Sequence, residues 1–300
     1  MSTVAIVGPG AIGSVAALAV QRTGRHEALL CGRRDPGRIR VVDEVTGTAE
    51  TLRMPVVTSA AEIRGPAEWV LLAVKAHQTP GTAEYLAALS DASTTVVALQ
   101  NGVEHVARVA PYVGDAEVLP AIVWISAEPT ADGEVTIRPN ISSLVQVPAG
   151  TAGERFAALL DDGPVRVELV DDFTTAVWRK LTTNAVAGLM AITSRRAAIF
   201  QRDDILDLAR RLARETLAVA RAEGASFSEA ESEAEADKLV GIFERMAPDT
   251  GTSILFDRLA GRALEWDARN GVVQRLGRAH GIPTPVSDVL VPLLAAASDG

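Results

Sequence analysis

The sequence predicts a parallel α/β domain whose sheet carries an antiparallel extension, followed by an all-α domain. Three observations lead there. An apolar run, Val4-Ala5-Ile6-Val7, passes directly into Gly8-Pro9-Gly10-Ala11-Ile12-Gly13 and then into a small-residue, helix-prone segment from Ser14 to Val20. Two further continuous apolar runs of strand length, Trp69 to Val74 and Thr95 to Leu99, read as strands covered on both faces, as a parallel sheet requires. From about residue 171 onward the pattern becomes almost uninterrupted helix. At 300 residues the chain can bury two medium cores, and the change in pattern divides it into residues 1–169 and 170–300.

Composition excludes several classes. The chain is 48% apolar but only 4% aromatic, so its cores must be aliphatic. A net charge of −9 argues against non-specific nucleic-acid binding and gives no signal for a membrane surface. One cysteine, Cys31, allows no internal disulfide and no cysteine-based zinc site, and the four histidines lack metal-ligand spacing, so no metal is expected. The opening residues read as strand rather than as an export leader, and no apolar run is long enough to cross a bilayer. A cytoplasmic protein is the expectation.

Taken in order, the first motif is a strand, a tight turn and a helix N-terminus with the spacing Gly8-x-Gly10-x-x-Gly13. Gly8 makes the turn, Gly10 lets a pyrophosphate approach the backbone, and Gly13 lets the helix lie close to the strand. The free N–H groups and positive dipole end of the helix then face the phosphates. This is a Rossmann-type dinucleotide site. The second strand, Glu27 to Cys31, ends in Gly32-Arg33-Arg34, where an NAD-selective site usually carries a carboxylate for the ribose 2′-hydroxyl. A guanidinium pairs with a 2′-phosphate instead, which points to NADP(H); the competing reading is two solvated arginines, with Asp35 close by. Residues 37–58 suggest an irregular hairpin or crossover. Lys75 follows the 69–74 strand and is a candidate for the adenosine or phosphate end of the cofactor, against a solvated loop lysine. Thr79 to Leu89 reads as helix.

Asn101 follows the 95–99 strand in a turn, and its amide suits a nicotinamide or substrate oxygen. Residues 118–126, 134–138 and 143–147 read as antiparallel strands extending the sheet at one edge, with Asp132-Gly133 as a hairpin turn. Residues 154–160 read as a short helix, and 165–170 as the last strand. In the second half, Asp171 or Asp172 can cap a helix running to about Met190. Helices follow at 203–223, 229–246, 253–280 (broken near 261) and 286–297. Glu229 to Lys238 reads as a solvated acidic face.

Lys180 and Asn184 lie four residues apart, on one face of a mostly apolar helix, with Gly188 one turn further. Such groups are costly to bury unless something polar meets them, and a ligand would do so; a half-exposed polar stripe is the competing reading. Thr252 or Ser253 can cap a helix. Spacing alone does not distinguish Glu265 from a surface carboxylate. No hydrolytic triad or carboxylate pair is present. A nicotinamide carries its own hydride, so the protein must orient the substrate and supply a proton, for which a lysine of lowered pKa is suited.

These residues together resemble the ketopantoate reductase (2-dehydropantoate 2-reductase) family. The resemblance lies in Gly8 to Gly13, Val74-Lys75-Ala76-His77-Gln78, Gln100-Asn101-Gly102-Val103, Trp178-Arg179-Lys180-Leu181-Thr182-Thr183-Asn184, Ser253 to Asp257, Glu265-Trp266-Asp267 and Gly277 to Pro285. It spans nearly the whole chain. It implies an NADP-binding Rossmann domain over 1–169, a helical substrate and dimerisation domain over 170–300, an active site in the cleft between them, NADPH as hydride donor and a homodimer. It implies Lys180 as general acid, Asn101, Asn184 and Ser253 as substrate ligands, and Glu265 as a residue that contacts the cofactor and helps close the site. Asn101 and Glu265 join Gly8, Pro9, Gly10, Ala11, Ile12, Gly13, Arg33 and Lys75 on the cofactor side. Two places depart from the family pattern: Gly188 stands where a second asparagine is expected, and Ile192-Thr193-Ser194-Arg195-Arg196-Ala197-Ala198 also lacks an expected asparagine. The small-molecule substrate is therefore expected to be ketopantoate or a related 2-oxo acid or ketone. A non-catalytic NADP(H) sensor is the reading from a different class.

Overall fold

The structure, a computed structural model, describes residues 2–44, 46–130, 133–138, 144–161 and 165–299. The chain packs as two units, Met1–Gln100 with Glu104–Asp171, and Asn101–Val103 with Asp172–Gly300.

The first unit contains, in order, β1 (Thr3–Val7), α1 (Ala11–Thr23), β2 (Glu27–Cys31), β3 (Arg40–Asp43), β4 (Thr48–Thr51), β5 (Val56–Val57), β6 (Trp69–Leu72), α2 (Ala83–Leu89), β7 (Thr95–Ala98) and α3 (His105–Val109). It continues with β8 (Glu117–Pro120), β9 (Ile122–Val123), β10 (Ala127–Pro129), β11 (Glu134–Ile137), β12 (Leu144–Pro148), α4 (Thr151–Leu159) and β13 (Arg166–Val170). Six strands form one sheet in the order β5-β2-β1-β6-β7-β8, and every pairing in it is parallel.

Side chains alternate across this sheet with period two. Val4, Ile6, Leu30, Leu71 and Val97 face a core built with Val15 to Val20 of α1 and Phe156 of α4. Ala5, Val7, Val70, Leu72, Val96 and Ala98 face a second core with Leu86 and Leu89 of α2. Both faces are covered, which is why the strands read as unbroken apolar runs. From β1 the chain winds one way through β2 and β5, and the other way through β6, β7 and β8. The carboxyl end of β1 is thus the switch point of the sheet, where ligands bind in such folds.

Among the described residues, the antiparallel extension predicted at one edge does not form. The 118–126 run divides at Pro120, which has no N–H to continue a ladder. Its first part, β8, pairs parallel to β7 and completes the main sheet. The remaining strands make two separate small mixed sheets, β10-β11-β3-β4 and β13-β12-β9. The hairpin is β10–β11, with Ala127 opposite Ile137. Asp132 of its expected turn lies outside the described residues, and Gly133 adopts φ +70°. Residues 37–58 supply the β3–β4 hairpin and the edge strand β5.

The second unit is helical: α5 (Phe173–Thr193), α6 (Asp203–Ala222), α7 (Glu229–Glu244), α8 (Ser253–Leu259), α9 (Val272–His280) and α10 (Pro285–Ser298). Helix α5 is buried almost all round from Ala185 to Ala191, with α6, α8 and α10 packed on it. An apolar helix of this kind is stable only inside other helices. Its N-cap is Asp172, whose Oδ1 accepts from the Thr175 N–H at 3.0 Å. That bond and its neighbours hold the Asp172 carboxyl below the usual carboxylate range. Asp172→Ala should destabilise the unit by about 1 kcal/mol, read as a lower thermal midpoint.

The 253–280 segment is interrupted more strongly than predicted. Helix α8 ends at Leu259, Gly261 takes φ +62°, and a π-helical turn, Asp267–Gly271, precedes α9. The acidic face of α7 is not wholly solvated: Glu235 is buried and pairs with Arg179 at 3.1 Å. Among the described residues no helix is long and apolar enough to cross a membrane.

Candidate active site

The glycine turn at the switch point shows what each residue is for. Gly8 has φ +98°, and a Cβ there would lie 2.6 Å from Val74 Cγ1. A Cβ on Gly13 would lie 2.0 Å from the Gly8 carbonyl oxygen. These two glycines hold turn, strand and helix in contact. Gly10 is different: it is the N-cap of α1 with no side-chain cap bond, and a Cβ there would meet nothing within 4 Å. The N-terminus of α1 therefore opens onto free space beside Pro9, Ala11 and Ile12.

That arrangement fits a pyrophosphate, which supplies acceptors for the first N–H groups of the helix. At the end of β2, Arg33 and Arg34 are both exposed and make no ion pair among the described residues. Lys75 follows β6, is half-buried, and donates its backbone N–H to Gln78 Oε1 at 3.1 Å. The residues present fit an NADP(H) with its diphosphate at Gly8 to Gly13 and its 2′-phosphate near Arg33. Cys31 takes no part: burial pushes its thiol up to about 12, which leaves it inert.

The second unit gathers the remaining predicted residues into one network. Asn101 donates through Nδ2 to Glu265 Oε2 at 2.9 Å. Asn184 donates through Nδ2 to Asn101 Oδ1 at 3.1 Å. Arg269 donates to the Asn184 carbonyl and to Ser253 Oγ, each at 3.2 Å. Asn184 and Glu265 are buried, 6% and 3% exposed. Lys180 lies one turn before Asn184 on α5. Some of its side chain remains open to solvent, yet protein surrounds the ammonium, and this desolvation, with the Arg269 guanidinium nearby, pushes its pKa down to about 7. Thr252 occupies the N-cap position of α8 but makes no cap bond; its hydroxyl faces Met190 Sδ at 3.7 Å. Capping therefore does not account for the Thr252-Ser253 pair, and Ser253 belongs to the network.

Two residues escaped the sequence reading, Arg269 in the network and Asn270 beside it, hydrogen-bonded to α5, both in the π-helical turn. Such turns recur at functional sites. The available signal was an arginine four residues after Glu265, set among Ala268, Val272 and Val273. Asn270 bears directly on the departure at Gly188. A Cβ at Gly188 would lie 3.0 Å from Asn270 Oδ1 and 3.4 Å from its Nδ2. The Asn270 amide is fully buried, donates to the Ala185 carbonyl at 3.1 Å, and leaves Oδ1 without a hydrogen bond. The space beside Gly188 already holds an asparagine side chain, supplied by another helix.

A glycine turn that fits a diphosphate at the switch point of a parallel sheet, joined in one chain to a lysine poised near neutrality, defines a nicotinamide-dinucleotide-dependent oxidoreductase. Residues 4–145 match the family model described as ketopantoate reductase PanE/ApbA, and residues 172–298 match the C-terminal model of the same family. The chain belongs to the ketopantoate reductase family, whose cofactor is NADPH. It is 46% identical over 297 residues to a 2-dehydropantoate 2-reductase of Mycobacterium tuberculosis, covering 99% of this chain and 98% of that protein. It is 37% identical over 298 residues to a 2-dehydropantoate 2-reductase of Caulobacter vibrioides, covering 99% and 100%. A dimeric ketopantoate reductase from Staphylococcus aureus superposes with a TM-score of 0.86 at 26% identity, covering 99% of each chain. A D-mandelate dehydrogenase solved with NADH and anilino(oxo)acetate superposes with a TM-score of 0.85 at 21% identity, covering 99% of this chain and 98% of that one. That last likeness is one of fold alone.

Proposed function

We propose that this protein reduces 2-dehydropantoate to pantoate with NADPH, Lys180 supplying the proton. The observation that carries this reading is Lys180 itself, a lysine whose surroundings hold it near pH 7 beside the hydrogen-bonded amides of Asn184 and Asn101. Full-length identity to enzymes of that name supports the substrate. Bound NADPH supplies the hydride; Gly8 to Gly13 hold its diphosphate, and Arg33 and Lys75 its adenosine end. Lys180 donates its Nζ proton to the oxygen of the carbonyl as that oxygen gains negative charge. Asn101, Asn184 and Ser253 orient the substrate. Glu265 fixes the Asn101 amide, contacts the cofactor and helps close the site. The protein acts as a homodimer in the cytoplasm.

The test is oxidation of NADPH with 2-dehydropantoate and a panel of other 2-oxo acids, followed by its absorbance. Tight NADPH binding with no turnover on any of them would replace this reading with that of a sensor. The pH dependence gives a second check. A general acid must be protonated, so kcat/KM for reduction should fall tenfold per pH unit above about 7. The reverse oxidation needs the neutral amine and should rise through the same range.

A further inference from the structure

Among the described residues, Arg269 is a buried cation without a hydrogen-bonded anion. Its side chain is 2% exposed. Its two hydrogen bonds go to neutral acceptors, Ser253 Oγ and the Asn184 carbonyl. Its Nε is buried with no acceptor, and among the described residues the guanidinium forms no salt bridge. Glu265 and Asp257 act on it only as charges through space. Glu265 accepts from Asn101, and Asp257 lies 3.8 Å from Arg262 Nε. Removing a guanidinium from water is costly unless an anion meets it.

We propose that Arg269 anchors the carboxylate of the substrate and so selects 2-oxo acids over neutral ketones. The proposal rests on the reading of this site as a 2-oxo acid reductase. Three features support it. The guanidinium fork matches a carboxylate in two parallel hydrogen bonds. Ser253, which meets Nη1, is exposed, so this end of Arg269 is the one a solute reaches. Arg269 also lies near enough to the Lys180 ammonium to depress it. In a 2-oxo acid the carboxylate carbon is bonded directly to the carbonyl carbon. An anion held by Arg269 thus brings the carbonyl oxygen beside the proton donor, while a neutral ketone has nothing to hold it there.

The test uses the full-length protein and its Arg269→Gln and Arg269→Lys variants, with thermal midpoints measured first. The substrates are 2-dehydropantoate and its neutral lactone. Arg269→Gln should raise KM for the acid about 100-fold, the scale of losing one partner of a buried charge pair, with KM rising by more than kcat falls. Arg269→Lys, which keeps the charge but loses the fork, should fall between wild type and Arg269→Gln, and it decides the matter alone if Arg269→Gln does not fold. Wild type should prefer the acid to the lactone, and Arg269→Gln should abolish that preference. Unchanged KM, a loss confined to kcat, or a wild type indifferent between acid and lactone overturns the anchor and leaves the reductase reading standing. A wild type that binds NADPH and reduces neither compound overturns both.

Discussion

Replacing Lys180 by alanine or methionine should lower kcat for reduction by about 10²–10⁴-fold, the contribution of a positioned general acid. The affinity for NADPH, measured by fluorescence titration, should stay within about twofold, because the glycine turn, Arg33 and Lys75 belong to the first unit. A variant that keeps more than a few per cent of wild-type turnover would remove Lys180 from the mechanism. The same substitution has a stability signature of opposite sign. Lys180 titrates near 7 in the folded protein against 10.5 for an ordinary lysine. The unfolded chain therefore holds an extra proton between those values, and wild-type stability rises with pH across that window. Below about pH 7 the folded protein must keep a charged, desolvated ammonium beside Arg269. Lys180→Met removes that charge while keeping most of the volume, so it should raise the thermal midpoint at pH 6 more than at pH 10. A residue that only filled space would show no such pH dependence.

The second large effect is expected at the glycine turn, and it separates two glycines of the same motif. Gly13→Ala puts a Cβ 2.0 Å from the Gly8 carbonyl oxygen. Backbone meets backbone there, so the start of α1 must move off β1. Overpacking of this kind costs about 1–3 kcal/mol, and the displaced helix N-terminus should bind NADPH more weakly by at least about tenfold. Gly10→Ala places its Cβ in open space. It should leave the thermal midpoint unchanged and still weaken NADPH, because that is the space proposed for the phosphates. Equal thermal midpoints for the two variants, or undiminished binding by Gly10→Ala, would contradict the assignment of the turn.

Much of this molecule is legible in its sequence wherever the determinant is local. Gly8, Gly10 and Gly13 can be read from their spacing because turn, approach and close packing are properties of a few consecutive residues. The buried strands β1, β6 and β7 follow from short apolar runs. The polar stripe of Lys180 and Asn184 follows from helical periodicity, and the Asp172 cap from a single side chain ahead of a helix. The family pattern added Ser253 and Glu265, which spacing alone did not mark. The antiparallel extension was misread because the pairing of β8 with β7, of β11 with β3 and of β12 with β13 is decided by distant partners. Pro120 alone warned that the 118–126 run would divide.

By itself, then, the sequence determined that this protein has a dinucleotide turn on a parallel sheet, a following helical half, and a lysine and asparagine on one helix face. Only the tertiary structure decided that Asn101, Asn184, Glu265, Ser253 and Arg269 form one hydrogen-bonded network, that the Asn270 side chain fills the space beside Gly188, and that Lys180 titrates near neutrality. Spacing along a chain sets which side chains share a face, but it does not set which distant side chain comes to lie against them. A lowered pKa and a buried guanidinium with no salt bridge among the described residues are consequences of desolvation, and desolvation exists only once elements far apart in sequence have packed together.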